Sequence, residues 1–373
     1  MAGIYIHIPF CTTKCIYCDF FSVGVTAEKR MRYVDALACE YASRIGELRG
    51  AAVGTLYIGG GTPSLLSVDE LARIVALPEL AAGAEVTVEV NPDDVTTDLV
   101  KGLKAAGVNR VSMGVQSFVD EELAFLRRRH DAAQARRAVG LLQDGGITNL
   151  SIDLIYGIPG QTVRSWQASL DVALGLGVPH LSAYSLTYEE GTRLTRMRDR
   201  GDFAELDDEL TVALFNQLAD ALQDAGYEQY EISNFAKPGF RSRHNSAYWD
   251  FTPYLGLGAA AHSFDGTTRR YNPSSLRDYL SKVEADGCAF EEESESPDQL
   301  YDEWVMTRLR TSDGMDMDEL ERRFGKRHRQ YAARVVDRHI ADGCLSKDGS
   351  VVRLTRDGVM LSDMVFRDLF IVE

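Results

Sequence analysis

The sequence predicts an α/β protein with a partial parallel (β/α)6 barrel, followed by a smaller, mostly helical C-terminal domain of winged-helix type. Two observations favour this fold. Six apolar segments typical of strands alternate with helical segments along residues 4–187, as expected for a parallel sheet with right-handed crossovers. Beyond residue 298, the pattern changes to helix, helix and hairpin. We expect domains at 1–225, 226–290 and 298–373, with the middle segment packed on the barrel.

The composition of the chain argues against two classes of protein, nucleic-acid-binding proteins and membrane-spanning proteins. The 373 residues carry a net charge of −16, which argues against a protein that mainly binds nucleic acid, because phosphate binding favours the opposite sign. No apolar run approaches membrane-spanning length, and the chain enters a strand directly without a signal peptide. We therefore expect a cytoplasmic protein without a membrane span.

The first strand leads into a loop that contains three cysteines. Alternating isoleucines over residues 4–8 predict the strand, and Pro9 ends it. Cys11, Cys15 and Cys18 follow with the spacing C-x3-C-x2-C. One disulfide would leave a thiol over, and a structural zinc site wants a fourth ligand, for which only His7 lies nearby. Three thiolates can instead hold three irons of a [4Fe-4S] cluster and leave the fourth iron open. A zinc loop closed by a distant ligand, or free thiols, remain alternatives.

A glycine-rich turn follows the second strand. The short apolar strand 56–58 runs into Gly59, Gly60, Gly61 and Thr62. Glycines let the backbone approach a ligand closely and expose N–H groups to a carboxylate or phosphate. An ordinary tight turn is the alternative, but the position one βα unit after the cysteine loop favours a binding turn.

The remaining elements continue the alternation. The predicted strands are 84–91, 108–116, 149–157 and 179–187, and the predicted helices of this region are 26–48, 97–106, 131–144, 161–175 and 202–225. Polar side chains stand at or near the carboxyl ends of three strands: Glu89, Gln116 and Asp153. Function gathers at these ends in parallel barrels, so we expect the three side chains to face one bound group.

Together these motifs resemble those of a known superfamily. The cysteine loop and the GGGTP turn resemble those of the radical S-adenosylmethionine (SAM) superfamily. With SMGVQSF and SIDLIYGIPGQT, they resemble the oxygen-independent coproporphyrinogen III oxidases and the related HemW haem chaperones, from residue 4 to about 265. The resemblance implies a [4Fe-4S] cluster on Cys11, Cys15 and Cys18, and SAM cleavage at the open iron to a 5′-deoxyadenosyl radical.

The resemblance also implies the residues that contact SAM. They are Tyr5, Gly60, Gly61, Thr62, Glu89, Gln116, Arg128 and Asp153. The turn and Glu89 would bind the amino-acid end of SAM, whereas Arg127 and Arg129 flank Arg128 as neighbouring candidates. No catalytic acid or base is assigned.

Two departures separate the chain from the decarboxylating oxidases. Their cysteine loop carries a fourth cysteine, where Phe20 stands here, and their N-terminal extension is absent because the chain starts almost at the cluster strand. Both departures favour a haem chaperone. The oxidase, which would use the radical to abstract a propionate β-hydrogen with loss of carbon dioxide, is the alternative.

A third feature supports the chaperone. Residues 244–249 read H-N-S-A-Y-W, and the resemblance implies that His244 ligates haem iron. Arg241 and Arg243 are candidate propionate partners. A packed or capping histidine is the alternative at residue 244. We expect a core position for His262, and we expect segment 254–264 to lie along the last barrel strand.

The C-terminal domain is the last region that bears on function. Residues 322–338 are basic, so a winged-helix regulator is a third hypothesis. Acidic residues lie among these basic ones, and the chain as a whole has a negative net charge. Both features favour a docking surface for a client protein instead. We expect the acidic stretch 291–295 to be a linker or solvated loop, and 359–369 to be the last helix. The expected partners are haem and haem-requiring apo-proteins such as respiratory enzymes, with a homodimer and peripheral contact with the inner membrane as candidate features.

Overall fold

The structure is a computed structural model that describes residues 1–24 and 26–371. The strands are β1 (Ala2–Ile8), β2 (Val53–Gly60), β3 (Leu80–Val90), β4 (Arg110–Gln116), β5 (Leu150–Tyr156), β6 (His180–Ser185), β7 (Glu228–Gln229), β8 (Asn234–Ala236), β9 (Tyr254–Leu257), β10 (His262–Phe264), β11 (Thr268–Tyr271), β12 (Glu291–Ser294), β13 (Met315–Asp316), β14 (Leu345–Asp348) and β15 (Val351–Leu354).

The helices alternate with these strands. They are α1 (Ala27–Arg44), α2 (Val68–Val75), α3 (Thr97–Ala105), α4 (Asp120–Phe125), α5 (Ala132–Asp144), α6 (Val163–Gly175), α7 (Arg193–Asp199), α8 (Asp208–Asp224), α9 (Arg243–Trp249), α10 (Leu276–Asp286), α11 (Pro297–Arg310), α12 (Met317–Phe324), α13 (Lys326–Ala341), α14 (Arg356–Met360) and α15 (Ser362–Leu369). Short 3₁₀ helices cover Ile45–Leu48, Pro63–Leu65 and Pro92–Asp94.

One large sheet organises the chain. Its strand order is β12-β11-β10-β9-β1-β2-β3-β4-β5-β6-β8-β7, and each neighbouring pair from β1 to β6 is parallel. The barrel is open because β6 pairs with the antiparallel β8, while β1 pairs with β9. This arrangement confirms the predicted partial parallel (β/α)6 barrel.

The alternation in β1 sets its orientation. Ile4, Ile6 and Ile8 are fully buried in the main hydrophobic core. Since successive side chains of a strand point to opposite faces, Tyr5 and His7 turn to the other face, where the ring of Tyr5 stacks on Tyr57 of β2 at 6.1 Å. The inner face of the barrel therefore carries polar side chains.

Two expectations about the sheet edge were wrong. Segment 254–264 contributes β9, which pairs with β1, the first barrel strand and not the last. The acidic stretch 291–295 contributes β12, an edge strand paired with β11. Arg270 of β11 bonds Glu292 at 2.8 Å, so cross-strand ion pairs hold a segment whose own sequence is typical of a solvated loop.

Residues 297–371, called here the C-terminal unit, have a hydrophobic core of their own. Trp304, Leu320 and Val336 are among its buried residues, and its small sheet has the order β13-β15-β14. The predicted last helix is two helices, α14 and α15. The predicted spans 1–225 and 298–373 include residues 25, 372 and 373, which lie outside the described residues. Within the described part of the chain, no helix is long and apolar enough to cross a bilayer.

Candidate functional site

The cysteine loop lies at the carboxyl end of β1. Its ends are joined by the backbone, because the Cys11 N–H donates to the Val23 carbonyl at 3.1 Å and the Val23 N–H donates to the Pro9 carbonyl at 2.7 Å. Phe20, at the position of the absent fourth cysteine, is 63% exposed. The loop is thus a closed turn that presents its three thiols beside the barrel opening.

Arg128 connects the thiols with the barrel strands. Its guanidinium lies 3.3 Å from the Cys15 sulfur and donates to the Asn91 side chain at 2.8 Å and to the Gly114 carbonyl at 2.6 Å. Its neighbours are placed differently: Arg127 is exposed and Arg129 pairs with two aspartates. Among the three arginines, Arg128 alone therefore brings positive charge to the cysteine loop, where it could pair with a thiolate.

The glycine turn packs directly under the cysteine loop. The Gly61 N–H donates to the Ile8 carbonyl at 2.7 Å. A Cβ added at Gly61 would lie 2.7 Å from the Phe10 carbonyl and 3.1 Å from the Cys11 sulfur, so only glycine fits this approach. The Thr62 hydroxyl lies 3.5 Å from the same sulfur. The two predicted motifs therefore form one site.

Glu89 lies behind the turn on the inner face of β3. Its carboxylate accepts hydrogen bonds from the Tyr57 hydroxyl at 2.7 Å and from the Gly60 N–H at 2.9 Å. Desolvation inside the barrel is the main cause that raises the pKa of Glu89 to about 7, and the nearby Asp153 adds to it. Within the described residues, this carboxylate has no cationic partner among the ion pairs. It is suited to receive one from a bound cationic ligand.

Asp153 and Gln116 complete the inner wall. The Ser112 hydroxyl donates to Asp153 at 3.3 Å, and burial raises the pKa of Asp153 to about 6. Gln116 has a φ of 71°, a left-handed conformation that is uncommon for a residue with a side chain. Its amide lies beside Gly114, where a Cβ would be 2.8 Å from the Gln116 nitrogen. The sequence-predicted polar residues thus do converge on one inner surface.

Tyr5 lies deeper in the barrel. Its hydroxyl lies 3.0 Å from the His7 ring nitrogen, and its ring packs beside both Tyr57 and His244, at centroid distances of 6.1 and 6.4 Å. Tyr5 therefore links the glycine-turn side of the site with the helix that carries the predicted haem ligand.

The thiols are not arranged for a single metal ion. No group of three or more Cys, His, Asp or Glu side chains in residues 1–24 and 26–371 lies in positions to hold one. Burial raises the pKa of the Cys18 thiol to about 11, so cluster assembly must displace its proton.

His244 is a packed histidine in this structure, as in the alternative given for it in the sequence analysis. Its ring is buried on the inner side of β2, with one nitrogen 2.8 Å from the Thr55 hydroxyl and the other 2.9 Å from the Tyr248 hydroxyl. Burial lowers its pKa to about 3, so the imidazole is neutral. Thr55 lies five residues before Gly60, the last residue of β2, so His244 packs against the first half of that strand, away from its carboxyl end.

The other residues of the haem motif lie around α9. Arg243 donates to the Gly83 carbonyl at 2.7 Å, whereas Arg241 pairs with the exposed Glu228 and Asp313. Arg310 lies over the Trp249 ring at 4.8 Å. His262 is exposed and is not a core residue, because β10 turns that side chain outward.

Known protein families match both parts of the chain, and named relatives match nearly its whole length. Residues 5–173 match the model of the radical SAM superfamily, and residues 296–361 match the HemN C-terminal domain. The heme chaperone HemW of Mycobacterium tuberculosis is 36% identical, over 98% of this chain and 94% of that protein. The chain belongs to the HemW family. HemW of Bacillus subtilis is 32% identical, over 98% of both chains.

A solved structure relates the HemW family to its neighbours. Coproporphyrinogen III oxidase (HemN) from Escherichia coli, a radical SAM enzyme, is 25% identical with a TM-score of 0.86, over 99% of this chain and 90% of that one. This similarity agrees with the barrel and the C-terminal unit described above.

Two residues of the site escaped the sequence analysis. Asn91 connects Arg128 with the Thr62 hydroxyl, to which its amide donates at 3.3 Å. Tyr57 bonds Glu89 and stacks on His244 at 5.1 Å. The position of Asn91 just after a strand was a usable signal, as for Gln116. Tyr57 lies between Leu56 and Ile58 in the sequence. Since successive side chains of a strand point to opposite faces, it could have been predicted to lie on the face opposite to these two apolar residues.

Proposed function

We propose that this HemW-family protein binds haem and a SAM-ligated [4Fe-4S] cluster and delivers haem to apo-proteins. The observation that carries the proposal is the identity with proteins named heme chaperone HemW over nearly the whole chain. Phe20 in place of a fourth loop cysteine supports the same conclusion.

The residues at the barrel opening fit the cluster and SAM. Cys11, Cys15 and Cys18 would hold three irons, and Arg128 would balance part of the negative charge of their thiolates. When bound, the reduced cluster supplies an electron for cleavage of SAM. The chain's own part is to hold these groups: Gly61 permits the close approach and Glu89 offers a carboxylate to the amino-acid end.

The remaining SAM contacts are proposed on the same inner surface. Tyr5, Gly60, Thr62, Gln116 and Asp153 line the wall or the turn between the cysteine loop and Glu89. Asp153 is a second carboxylate with a raised pKa, and a cationic ligand would favour the ionised form of both acids.

The surroundings of His244 do not fit an axial haem ligand in the conformation described. Both ring nitrogens are engaged by hydroxyls of Thr55 and Tyr248, and the side chain is buried. His244 remains the proposed iron ligand, but only of a conformation in which α9 has moved away from β2. Its neutral imidazole has the protonation state that a metal ligand needs.

The proposed clients are haem-requiring apo-proteins, with respiratory enzymes as candidates. We propose a cytoplasmic protein that meets such clients at the inner membrane without spanning it, and a homodimer as the assembly. The C-terminal unit would provide the client-docking surface.

One observation favours a second candidate function, oxygen-independent coproporphyrinogen III oxidation. The fold matches that of the Escherichia coli oxidase with a TM-score of 0.86. The exposed Phe20 at the site of that family's fourth cysteine argues against it.

A single preparation tests the two functions. The full chain is reconstituted anaerobically and divided between a haem titration and an incubation with SAM, a strong reductant and coproporphyrinogen III. We expect saturable haem binding and no catalytic formation of protoporphyrinogen. Multiple turnovers to protoporphyrinogen would establish the oxidase and contradict the chaperone.

A further inference from the structure

A groove of about 610 Å³ lies between the barrel and the C-terminal unit. Its walls come from α8, the β7–β8 segment, the end of α11 and the β15–α14 segment. The volume is within the ~300–1,000 Å³ typical of small-molecule sites. The groove is remote from the cysteine loop, so the cluster and SAM do not account for it.

Apolar side chains form much of the groove. Ile232, Leu354 and Val359 are half-buried, and they lie with the more deeply buried Tyr227, Phe235 and Leu309. These residues come from both halves of the molecule. They offer a flat or bulky apolar ligand two facing surfaces.

The polar lining of the groove is mainly arginine. Arg241, Arg310, Arg353 and Arg356 line it together with Glu228 and Glu231. A surplus of guanidinium groups in a chain of net charge −16 indicates a site for an anion. Guanidinium groups bind carboxylates with paired, charge-assisted hydrogen bonds.

The four arginines differ in how strongly they are engaged. Arg356 is fixed to α8 through Asp220 at 2.6 Å and Asn216, and Arg310 bonds the buried Glu231 at 2.7 Å. These two belong to the wall. Arg241 lies over the Tyr230 ring at 5.5 Å, and its ion pairs of 3.3 and 3.5 Å are exposed, so they are weak and replaceable.

Arg353 is the most available of the four. Its Nε donates to the Ser312 carbonyl at 2.9 Å, which fixes the side chain at the groove. In residues 1–24 and 26–371, no carboxylate is paired with this half-buried guanidinium. Its terminal nitrogens can donate hydrogen bonds to the carboxylate of a ligand.

The groove also adjoins the helix that carries the haem motif. Arg241 stands two residues before α9, and Arg310 stacks on Trp249, the last residue of α9. A ligand in the groove therefore lies next to both ends of α9 while His244 remains buried.

We propose that this groove is the docking site for the porphyrin ring of haem, with Arg353 and Arg241 as the partners of its propionates. This inference rests on the proposed function. The ring is apolar and flat and carries two carboxylates, which match the apolar walls and the two available arginines. Docking here involves the porphyrin ring and not the iron. It can therefore take place while His244 is still buried and hydrogen-bonded to Thr55 and Tyr248.

Because the proposed docking does not involve the iron, metal-free porphyrin should bind in the same groove, and this can be tested directly. Haem and metal-free protoporphyrin IX are titrated separately into the full chain, and quenching of tryptophan fluorescence is followed. The variants are Arg353→Gln and Arg241→Gln. Arg277→Gln, a 92% exposed arginine on α10 outside the groove, is the matched control. We expect each groove variant to raise the Kd of both porphyrins about ten-fold, the effect of losing one charged contact, and the control to leave it unchanged.

The outcomes separate the two proposals. If the unaltered chain binds haem with a Kd that neither groove variant changes, the docking site is wrong and the chaperone function stands. If metal-free protoporphyrin does not bind while haem does, the docking site is also wrong. If the unaltered chain binds neither porphyrin, both the proposed haem-chaperone function and the docking site are wrong. Because Arg353 and Arg241 lie in different halves of the molecule, a folding defect in one variant leaves the other to decide.

Discussion

At the scale of single residues, the three loop thiols have different surroundings. Cys11 lies beside Thr62, Cys15 beside Arg128, and the pKa of Cys18 is raised by burial. Arg128 places a positive charge 3.3 Å from the Cys15 sulfur, and a cluster ligand must be a thiolate. The protein thus supplies part of the charge balance before a cluster is present.

The first prediction concerns Cys15. Cys15→Ser should abolish iron and acid-labile sulfide incorporation after anaerobic reconstitution, because it removes one of three thiolate ligands. Cys39→Ser is the matched control, since Cys39 is an exposed thiol on α1. Equal iron content in Cys15→Ser and the unaltered chain would contradict the three-thiolate site.

A second prediction follows from Glu89. Burial raises its pKa from the ordinary 4.5 to about 7 in the folded protein, so its contribution to stability is full below pH ~4.5 and is lost as the pH rises to ~7. The loss is at most about 3 kcal/mol, from ~1.36 kcal/mol per pKa unit.

Denaturant unfolding of the cluster-free protein at pH 5 and pH 8 measures this contribution. Glu89→Gln should lose less stability than the unaltered chain between these two values, whereas Glu121→Gln, at an exposed position on α4, should behave like the unaltered chain. The same pH dependence in Glu89→Gln would show that Glu89 is not the desolvated acid.

At the scale of elements, the barrel strands could be predicted because each carries its own apolar pattern and ends in polar or glycine residues. β12 could not, because Glu291–Ser294 is stable as a strand only through arginines of β11 that are distant in sequence. Segment 254–264 was predicted to lie along the last barrel strand, but its strand β9 pairs with β1. Its partner, β1, is some 250 residues earlier, and no local signal specifies such a pairing.

The same limit applies to α9. The motif of His244 is visible in the sequence, but its contacts with Thr55 and Tyr57 depend on how α9 packs against β2. Sequence reasoning identified the residue and could not show that its nitrogens are engaged. The helix holds its proposed iron ligand inside the barrel.

This placement gives a prediction for Thr55→Val. The change removes the hydroxyl bonded to His244 and keeps the shape, so it should cost about 1–3 kcal/mol of stability by leaving a buried nitrogen unpaired. Because part of the cost of freeing the ring is then removed, haem should bind up to roughly ten-fold more tightly.

Thr87→Val is the matched control. Thr87 lies on β3, and its buried hydroxyl has no hydrogen-bond partner among the described residues, so this change should not lower stability, because it removes an unpaired polar group, and should leave haem affinity unchanged. Unfolding curves and haem titrations measure both quantities. Weaker haem binding by a folded Thr55→Val would show that ligation does not require release of the ring.

At the scale of the whole molecule, the candidate site and the haem motif occupy different parts of one barrel. The cysteine loop, the glycine turn and Arg128 lie at the carboxyl ends of the strands, whereas α9 packs against the start of β2. Tyr5 and Tyr57 lie between them, and both stack with His244. Aromatic side chains therefore connect the two ends of the barrel interior.

The proposed function requires that the protein hand haem to a client, and a transfer experiment measures that step. The full chain is loaded with haem and mixed with increasing concentrations of the apo-form of a respiratory haem enzyme, or of apomyoglobin as a passive acceptor. The transfer rate should rise with the concentration of the respiratory acceptor, because direct delivery needs an encounter, and should be independent of apomyoglobin concentration. The same concentration-independent rate for both acceptors would show passive release and contradict a haem chaperone.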